Sequence, residues 1–162
     1  MRPIRFSCTE TLRLLPADIV GLILDPANWT SFEGYAVLPG IRAAEYEART
    51  PGVVGSRIRV TNTDGSSHVE EVVEWQPEQR LRLRMKEFSP PLSRLASGFE
   101  ESWVFRRTDG ATRVTRSFEL HPKSRLARPV LWLISLLLKR AVARHLRAMR
   151  DLGRPQGSHH SS

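Results

Sequence analysis

Two stretches of strand length in the second half of the chain hold the polar residues with the most chemical capacity. In 99–107, Phe99, Trp103 and Phe105 share one parity with Glu101; in 112–120, Val114 and Phe118 share one with Arg116. Asp109 and Gly110 between them form a hairpin signal, because a type I′ turn needs positive φ. If both apolar parities point inward, an acid and a base lie close together inside the fold. Arg116 could then bind a carboxylate or phosphate, with Glu101 orienting it or polarising a carbonyl. The same two residues could equally neutralise each other as a structural pair, or a bulge could turn both out to solvent.

The surroundings of that pair are apolar. Trp103, Phe105 and Phe118 would line a cavity on the inward parity, joined by Leu83 and Met85 from 80–88, where Arg80, Arg82, Arg84 and Lys86 alternate with Leu81, Leu83 and Met85. An aromatic lining suits a ring-bearing or acyl ligand, although each of these residues would serve as well in a plain core. Tyr46, Glu33 and Tyr35 are further polar candidates. His145 falls in a helical stretch and reads as a packed or solvated residue; no second ligand stands at metal spacing from it. Cys8 lies on the apolar parity of a strand, which suits a buried structural thiol rather than a nucleophile. The chain has no nucleophile elbow, phosphate loop, dinucleotide fingerprint, paired-cysteine motif or zinc-helix motif, so no cofactor or metal is expected.

Composition narrows the class. At 162 residues, 40% of them hydrophobic, the chain suits one domain with one core. A single cysteine excludes an intramolecular disulfide and fits a reducing, cytoplasmic setting, as does the alternation of polar and apolar residues over 1–15, which differs from a signal peptide. The sequon at Asn28 carries weight only in a secreted protein. The longest apolar run, 130–138, is far shorter than the roughly 20 residues of a membrane-spanning helix. A net charge of +8 raises nucleic acid or an anionic membrane as a partner, but the arginines are scattered and no nucleic-acid motif accompanies them, so nucleic acid is not expected.

The periodicity supplies elements to position these residues. Ile4, Phe6, Cys8, Leu12 and Leu14 alternate with polar residues as a half-buried strand does. Pro16 opens a short helix with Ile19, Val20, Leu22 and Ile23 on one face, and Asp25 before Pro26 ends it. The stretch 28–34 reads as a second short helix or a structured loop. Six further strands, 41–49, 56–62, 67–75, 80–88, 99–107 and 112–120, are separated by turn residues, including Asp64 with Gly65. Leu131, Ile134, Leu138, Val142, Leu146, Met149 and Leu152 then recur at helical spacing in a long helix over 129–152. The fold class is therefore α+β: a seven-stranded antiparallel sheet with one dry face, covered by the long helix. A domain over 1–152 and a disordered or tag-like tail over 153–162 complete the organisation.

This order resembles the START-like superfamily, also called SRPBCC, of polyketide cyclase/dehydrase and lipid-transport proteins, whose shared fold is the helix-grip. The resemblance covers nearly all of 4–152. It is carried by 16–29, with Pro16, Asp25, Pro26 and Trp29; by 72–81, where Pro77 turns between a strand ending at Trp75 and the strand from Arg80; and by the 109–115 hairpin. Phe32 fills the place of a second aromatic that often follows the tryptophan. The resemblance implies a hydrophobic small molecule, a lipid, acyl chain or polyketide-like compound, held between sheet and helix. It also admits a polyketide aromatase or cyclase, with Arg116 and Glu101 as the natural polar pair. A third reading, a membrane-surface or protein-interaction module, rests on 130–138 with Arg125, Arg128, Lys139 and Arg140 around it. Burial of that apolar run beneath the sheet is the simpler expectation. The oligomeric state stays open at this level.

Overall fold

The computed structural model describes residues 1–152; the tail expected over 153–162 lies outside the described residues. Seven strands form one antiparallel sheet: β1 (Ile4–Leu12), β2 (Ile41–Ala48), β3 (Arg57–Asn62), β4 (Ser67–Gln76), β5 (Arg80–Lys86), β6 (Ala96–Thr108) and β7 (Ala111–Pro122). Their spatial order is β1-β7-β6-β5-β4-β3-β2, a meander whose first strand closes against the last. The helices are α1 (Pro16–Ile23), a single-turn α2 (Leu92–Leu95) and α3 (Ala127–Leu152), with a 3₁₀ segment at Pro26–Ser31.

The turns form where the sequence allows positive φ, with Gly65 at 85° and Gly110 at 69° closing the β3–β4 and β6–β7 hairpins. Asp25 caps the 3₁₀ segment, its side chain accepting from the Ala27 N–H at 3.1 Å. The stretch read as a short helix or a loop thus begins earlier, at Pro26. Element ends shift as well, most at β6, which begins at Ala96 instead of residue 99, and at α3, which begins at Ala127 with Pro129 accommodated in its first turn where no N–H is needed. The turn of α2 has too few residues for a periodic signal and goes unseen in the sequence.

Register irregularities in β2, in β4 between Val72 and Glu74, and in β6 between Ala96 and Gly98 bend the sheet. At about 1.5 Å per residue, the 26 residues of α3 span roughly 39 Å, enough to cross its concave face. Leu131, Leu138, Val142, Leu146 and Met149 of α3 are buried in one core with Leu81, Leu83, Phe99, Trp103, Val114 and Phe118 of the sheet. Arginines of the convex face are paired across strands, Arg82 reaching Glu74 at 3.2 Å and Glu100 at 3.1 Å, and Arg57 reaching Glu87 at 3.1 Å. Glu100, Glu119 and His121 also cluster on the sheet, but Arg82 and Arg84 already engage Glu100, and Arg5 engages Glu119.

The apolar run of α3 departs from expectation. Leu131, Ser135 and Leu138 are buried, yet Val130, Trp132, Leu133 and Leu136 are exposed. The run is apolar around the whole helix, and a single sheet can cover only one side of it.

Candidate functional site

Pairing of β6 with β7 sets the polar centre. Glu101 lies opposite Phe118, and Trp103 opposite Arg116, so the inward parity brings Glu101, Trp103, Arg116 and Phe118 to neighbouring positions on the concave face. Glu101 and Arg116 are both buried, at 2% and 8% exposure, and the Arg116 Nε–H donates to Glu101 Oε1. The guanidinium lies 4.4 Å from the ring centre of Trp103, 5.3 Å from that of Phe118 and 5.8 Å from that of Phe32. Those aromatic faces attract the cation where water cannot solvate it.

His145 completes the network from α3. Its Nδ1 is 3.1 Å from Arg116 Nη1, and its Nε2 is 3.0 Å from Ser31 Oγ. A guanidinium has only donors, so Nδ1 must accept, and the ring is the neutral tautomer that donates from Nε2 to Ser31. Ser31 Oγ in turn donates to the Asn28 carbonyl at 2.7 Å. Burial, assisted by the Arg116 charge, pushes the imidazole pKa down to about 3. Burial also raises the Glu101 pKa; Arg116 opposes that shift and Glu70 adds to it. The sequence signal for His145 was weak because its partners come from a strand and from the 3₁₀ segment, both remote in the chain.

Glu70 is the other residue that alternation hides. Val69, Val73 and Trp75 suggest that odd positions of β4 face inward, which would send Glu70 to solvent. The register shift between Val72 and Glu74 instead leaves Glu70 opposite Met85 and Val72 opposite Leu83, on the inner face. Glu70 is 4% exposed, with Oε1 3.0 Å from His68 Nε2.

These groups stand between two apolar lobes. One, of about 260 Å³, lies toward the 3₁₀ segment and is walled by Leu22, Trp29, Leu83, Trp103, His145 and Met149. The other, of about 320 Å³, lies toward α2 and is walled by Leu38, Met85, Phe88, Phe99, Phe118 and Leu138. Phe32, Ile41, Glu70 and Arg116 line both, forming a waist. Phe32 is held there by the Ile41 N–H, which donates to its carbonyl at 2.9 Å. Close backbone approach keeps this loop tight, since a Cβ on Gly34 would fall 2.3 Å from the Leu38 carbonyl oxygen.

Of the sequence candidates, Glu101, Trp103, Arg116 and Leu83 meet at the first lobe, and Met85 and Phe118 at the second. Phe105 is buried in the core but lines neither lobe. Tyr46 lies outside both as well, its hydroxyl donating to the Leu24 carbonyl at 2.5 Å and tying β2 to the end of α1. Glu33 pairs on the surface with Arg144, and the Tyr35 ring lies beneath Arg140. Cys8 is half-buried with its thiol pushed up by burial, the opposite of an activated nucleophile.

One buried hydrogen-bonding position beside the waist is unspent among the described residues. Trp103 Nε1 is buried without a partner in hydrogen-bond geometry, though close enough to Glu101 to favour its ionised form. Two apolar chambers joined at a polar waist, under a helix laid across a bent antiparallel sheet, define a START-like helix-grip protein. The chain belongs to the family described as polyketide cyclase / dehydrase and lipid transport, whose model matches residues 3–153.

Solved structures share the fold. A START superfamily protein from Mycobacterium smegmatis superposes with a TM-score of 0.69 at 12% identity, over 91% of this chain and 97% of that one. TTHA0849 from Thermus thermophilus gives 0.68 at 18% identity, over 91% and 95%. Norcoclaurine synthase from Thalictrum flavum, solved with dopamine and hydroxybenzaldehyde, gives 0.64 at 15% identity, over 95% and 90%. No curated protein matches the chain.

Proposed function

We propose that this domain binds a hydrophobic small molecule, a lipid, acyl chain or polyketide-like compound, with its apolar body in the lobes and an oxygen-bearing group at the waist. The observation that carries this reading is the position of the buried Glu101–Arg116–His145 network, on the wall between two apolar lobes. A purely structural pair would have its polar atoms used up within the protein. Here the Trp103 N–H remains as a donor for a carbonyl or hydroxyl oxygen, while the Glu70 and Glu101 carboxylates on the same wall can accept from a hydroxyl. The lone free cysteine fits a cytoplasmic setting.

The enzyme reading, a cyclase or aromatase that folds a polyketide chain for intramolecular condensation, finds support in Glu101, whose raised pKa suits a proton donor. It finds less in His145, because both imidazole nitrogens are already engaged. Binding is therefore the primary function proposed. Loss of turnover with retained binding in Glu101→Gln would move the assignment to the enzyme.

Ile41 offers the test, as it lines both lobes yet is only half-buried, so a larger side chain there narrows the waist without overfilling the core. Titration with 1-anilinonaphthalene-8-sulfonate, an aromatic sulfonate, is expected to give saturable fluorescence enhancement in the native protein. Ile41→Trp should weaken it about tenfold or more at unchanged melting temperature, the equivalent of about 1.4 kcal/mol. Equal affinity in both proteins would place the probe elsewhere and remove the cavity assignment.

A further inference from the structure

The exposed apolar face of α3 carries an inference independent of the ligand cavity. Val130, Trp132, Leu133 and Leu136 are between 42% and 57% exposed, and Leu126, just before the helix, is 90% exposed. Their spacing makes them one surface: Leu126, Val130 and Leu133 follow each other at four and three residues, and Trp132 and Leu136 at four. A contiguous exposed apolar strip of this kind marks an interaction site.

Charge identifies the partner. From residue 120 to residue 150 the sequence contains no aspartate or glutamate, while Lys123, Arg125, Arg128, Lys139 and Arg140 border the strip. On the convex sheet face Arg57, Arg59, Arg82 and Arg84 are paired with glutamates, whereas Arg125, Arg128, Lys139 and Arg140 have no carboxylate partner among the described residues. Arg128 donates to the Arg2 carbonyl, and Arg140 lies over Tyr35 at 5.8 Å, contacts that leave both charges uncompensated. A second copy of the chain is a poor partner, since two-fold pairing of this face would oppose arginine to arginine with no acid between them. An anionic bilayer supplies what the face lacks: phosphate charge for the basic rim, acyl chains for the leucines, and the interfacial zone that tryptophan favours. Among the described residues no helix is long and apolar enough to cross a membrane, so the proposed contact is peripheral.

We propose that the exposed face of α3 around Trp132, Leu133 and Leu136, with its rim of Arg125, Arg128, Lys139 and Arg140, docks onto an anionic lipid surface. The same helix stretch supplies Ile134, Leu137 and Leu138 to the wall of the larger lobe. The docked face therefore backs directly onto the cavity.

The test uses the full chain and vesicles of equal parts phosphatidylcholine and phosphatidylglycerol, with phosphatidylcholine vesicles alongside. Co-sedimentation with the mixed vesicles is expected, falling at least tenfold on pure phosphatidylcholine and weakening as salt is raised. Leu133→Glu/Leu136→Glu and Arg125→Ser/Arg140→Ser should each lower the partition about tenfold or more. All four positions are exposed, and an unchanged melting temperature shows the fold to be intact. Native Trp fluorescence should shift to the blue on mixed vesicles, and Trp132→Phe should abolish most of that shift. Absence of binding to mixed vesicles, equal binding to both lipids, or binding unaffected by Leu133→Glu/Leu136→Glu overturns the proposal. Sedimentation equilibrium without lipid guards the alternative: a native dimer that Leu133→Glu/Leu136→Glu dissociates would make this face an interface between copies.

Discussion

Arg116→Met should be among the most damaging single substitutions in this protein, costing about 3–5 kcal/mol of unfolding free energy at pH 7, because it leaves the Glu101 carboxylate buried without its cation. Glu101 is already pushed toward protonation by burial, with Arg116 as the main opposing influence. Without Arg116 its pKa rises further. A carboxyl whose folded pKa lies above its unfolded value contributes stability at low pH that is lost as pH rises through the folded pKa. The deficit of Arg116→Met relative to the native protein should therefore be larger at pH 8 than at pH 5, measured by urea unfolding at each pH. Arg116→Met/Glu101→Leu should recover much of the loss, since an apolar pair avoids the buried charge altogether. A cost below about 1 kcal/mol for the single change would mean that water reaches the pair freely, as it does at surface ion pairs.

Acid should unfold the native protein partly through His145. The imidazole pKa is held down to about 3 in the folded state against an unperturbed 6.5. Below pH 6.5 the unfolded chain binds a proton that the folded chain refuses, so stability falls as pH drops through the window from 6.5 to about 3. At 1.36 kcal/mol per pH unit the loss from this residue between pH 7.5 and pH 5 is about 2 kcal/mol. Glu101 works in the opposite sense above its unfolded pKa of 4.5, because its raised folded pKa favours the native state as pH falls, and this offsets part of the loss. His145→Asn keeps an acceptor near Nδ1 for Arg116 and cannot titrate. Its unfolding free energy should accordingly decline between pH 7.5 and pH 5 by about 2 kcal/mol less than that of the native protein. Identical pH slopes in the two proteins would mean that His145 is protonated in the fold, contrary to its donor from Arg116.

The architecture was largely legible because each element has one dry face with a regular period. The β6–β7 hairpin is the clearest instance: Asp109 and Gly110 set the turn, the turn sets the register, and the register places Glu101, Trp103 and Arg116 together. Glu70 was hidden by a bulge, which reverses the meaning of alternation from one residue to the next and has no fixed sequence signal. His145 was hidden for another reason. A lone histidine on a helix gains its role from Arg116 and Ser31, which only the tertiary fold brings within hydrogen-bond distance. Tyr46 and Phe105 fell the other way, as plausible lining residues that the fold spends on a carbonyl cap and on the core. The apolar run of α3 shows that a pattern apolar on all sides does not say which side is covered.

Native mass spectrometry of the purified protein, with denaturing extraction, decides whether the two lobes hold a small apolar molecule with its polar group at Arg116. An adduct of one molecule per chain is expected, released on denaturation as a largely hydrocarbon or aromatic compound bearing a carbonyl or hydroxyl, and depleted in Ile41→Trp prepared in parallel. A protein that keeps its bare mass through purification and after incubation with a cell lipid extract would instead make the lobes packing space without a binding function.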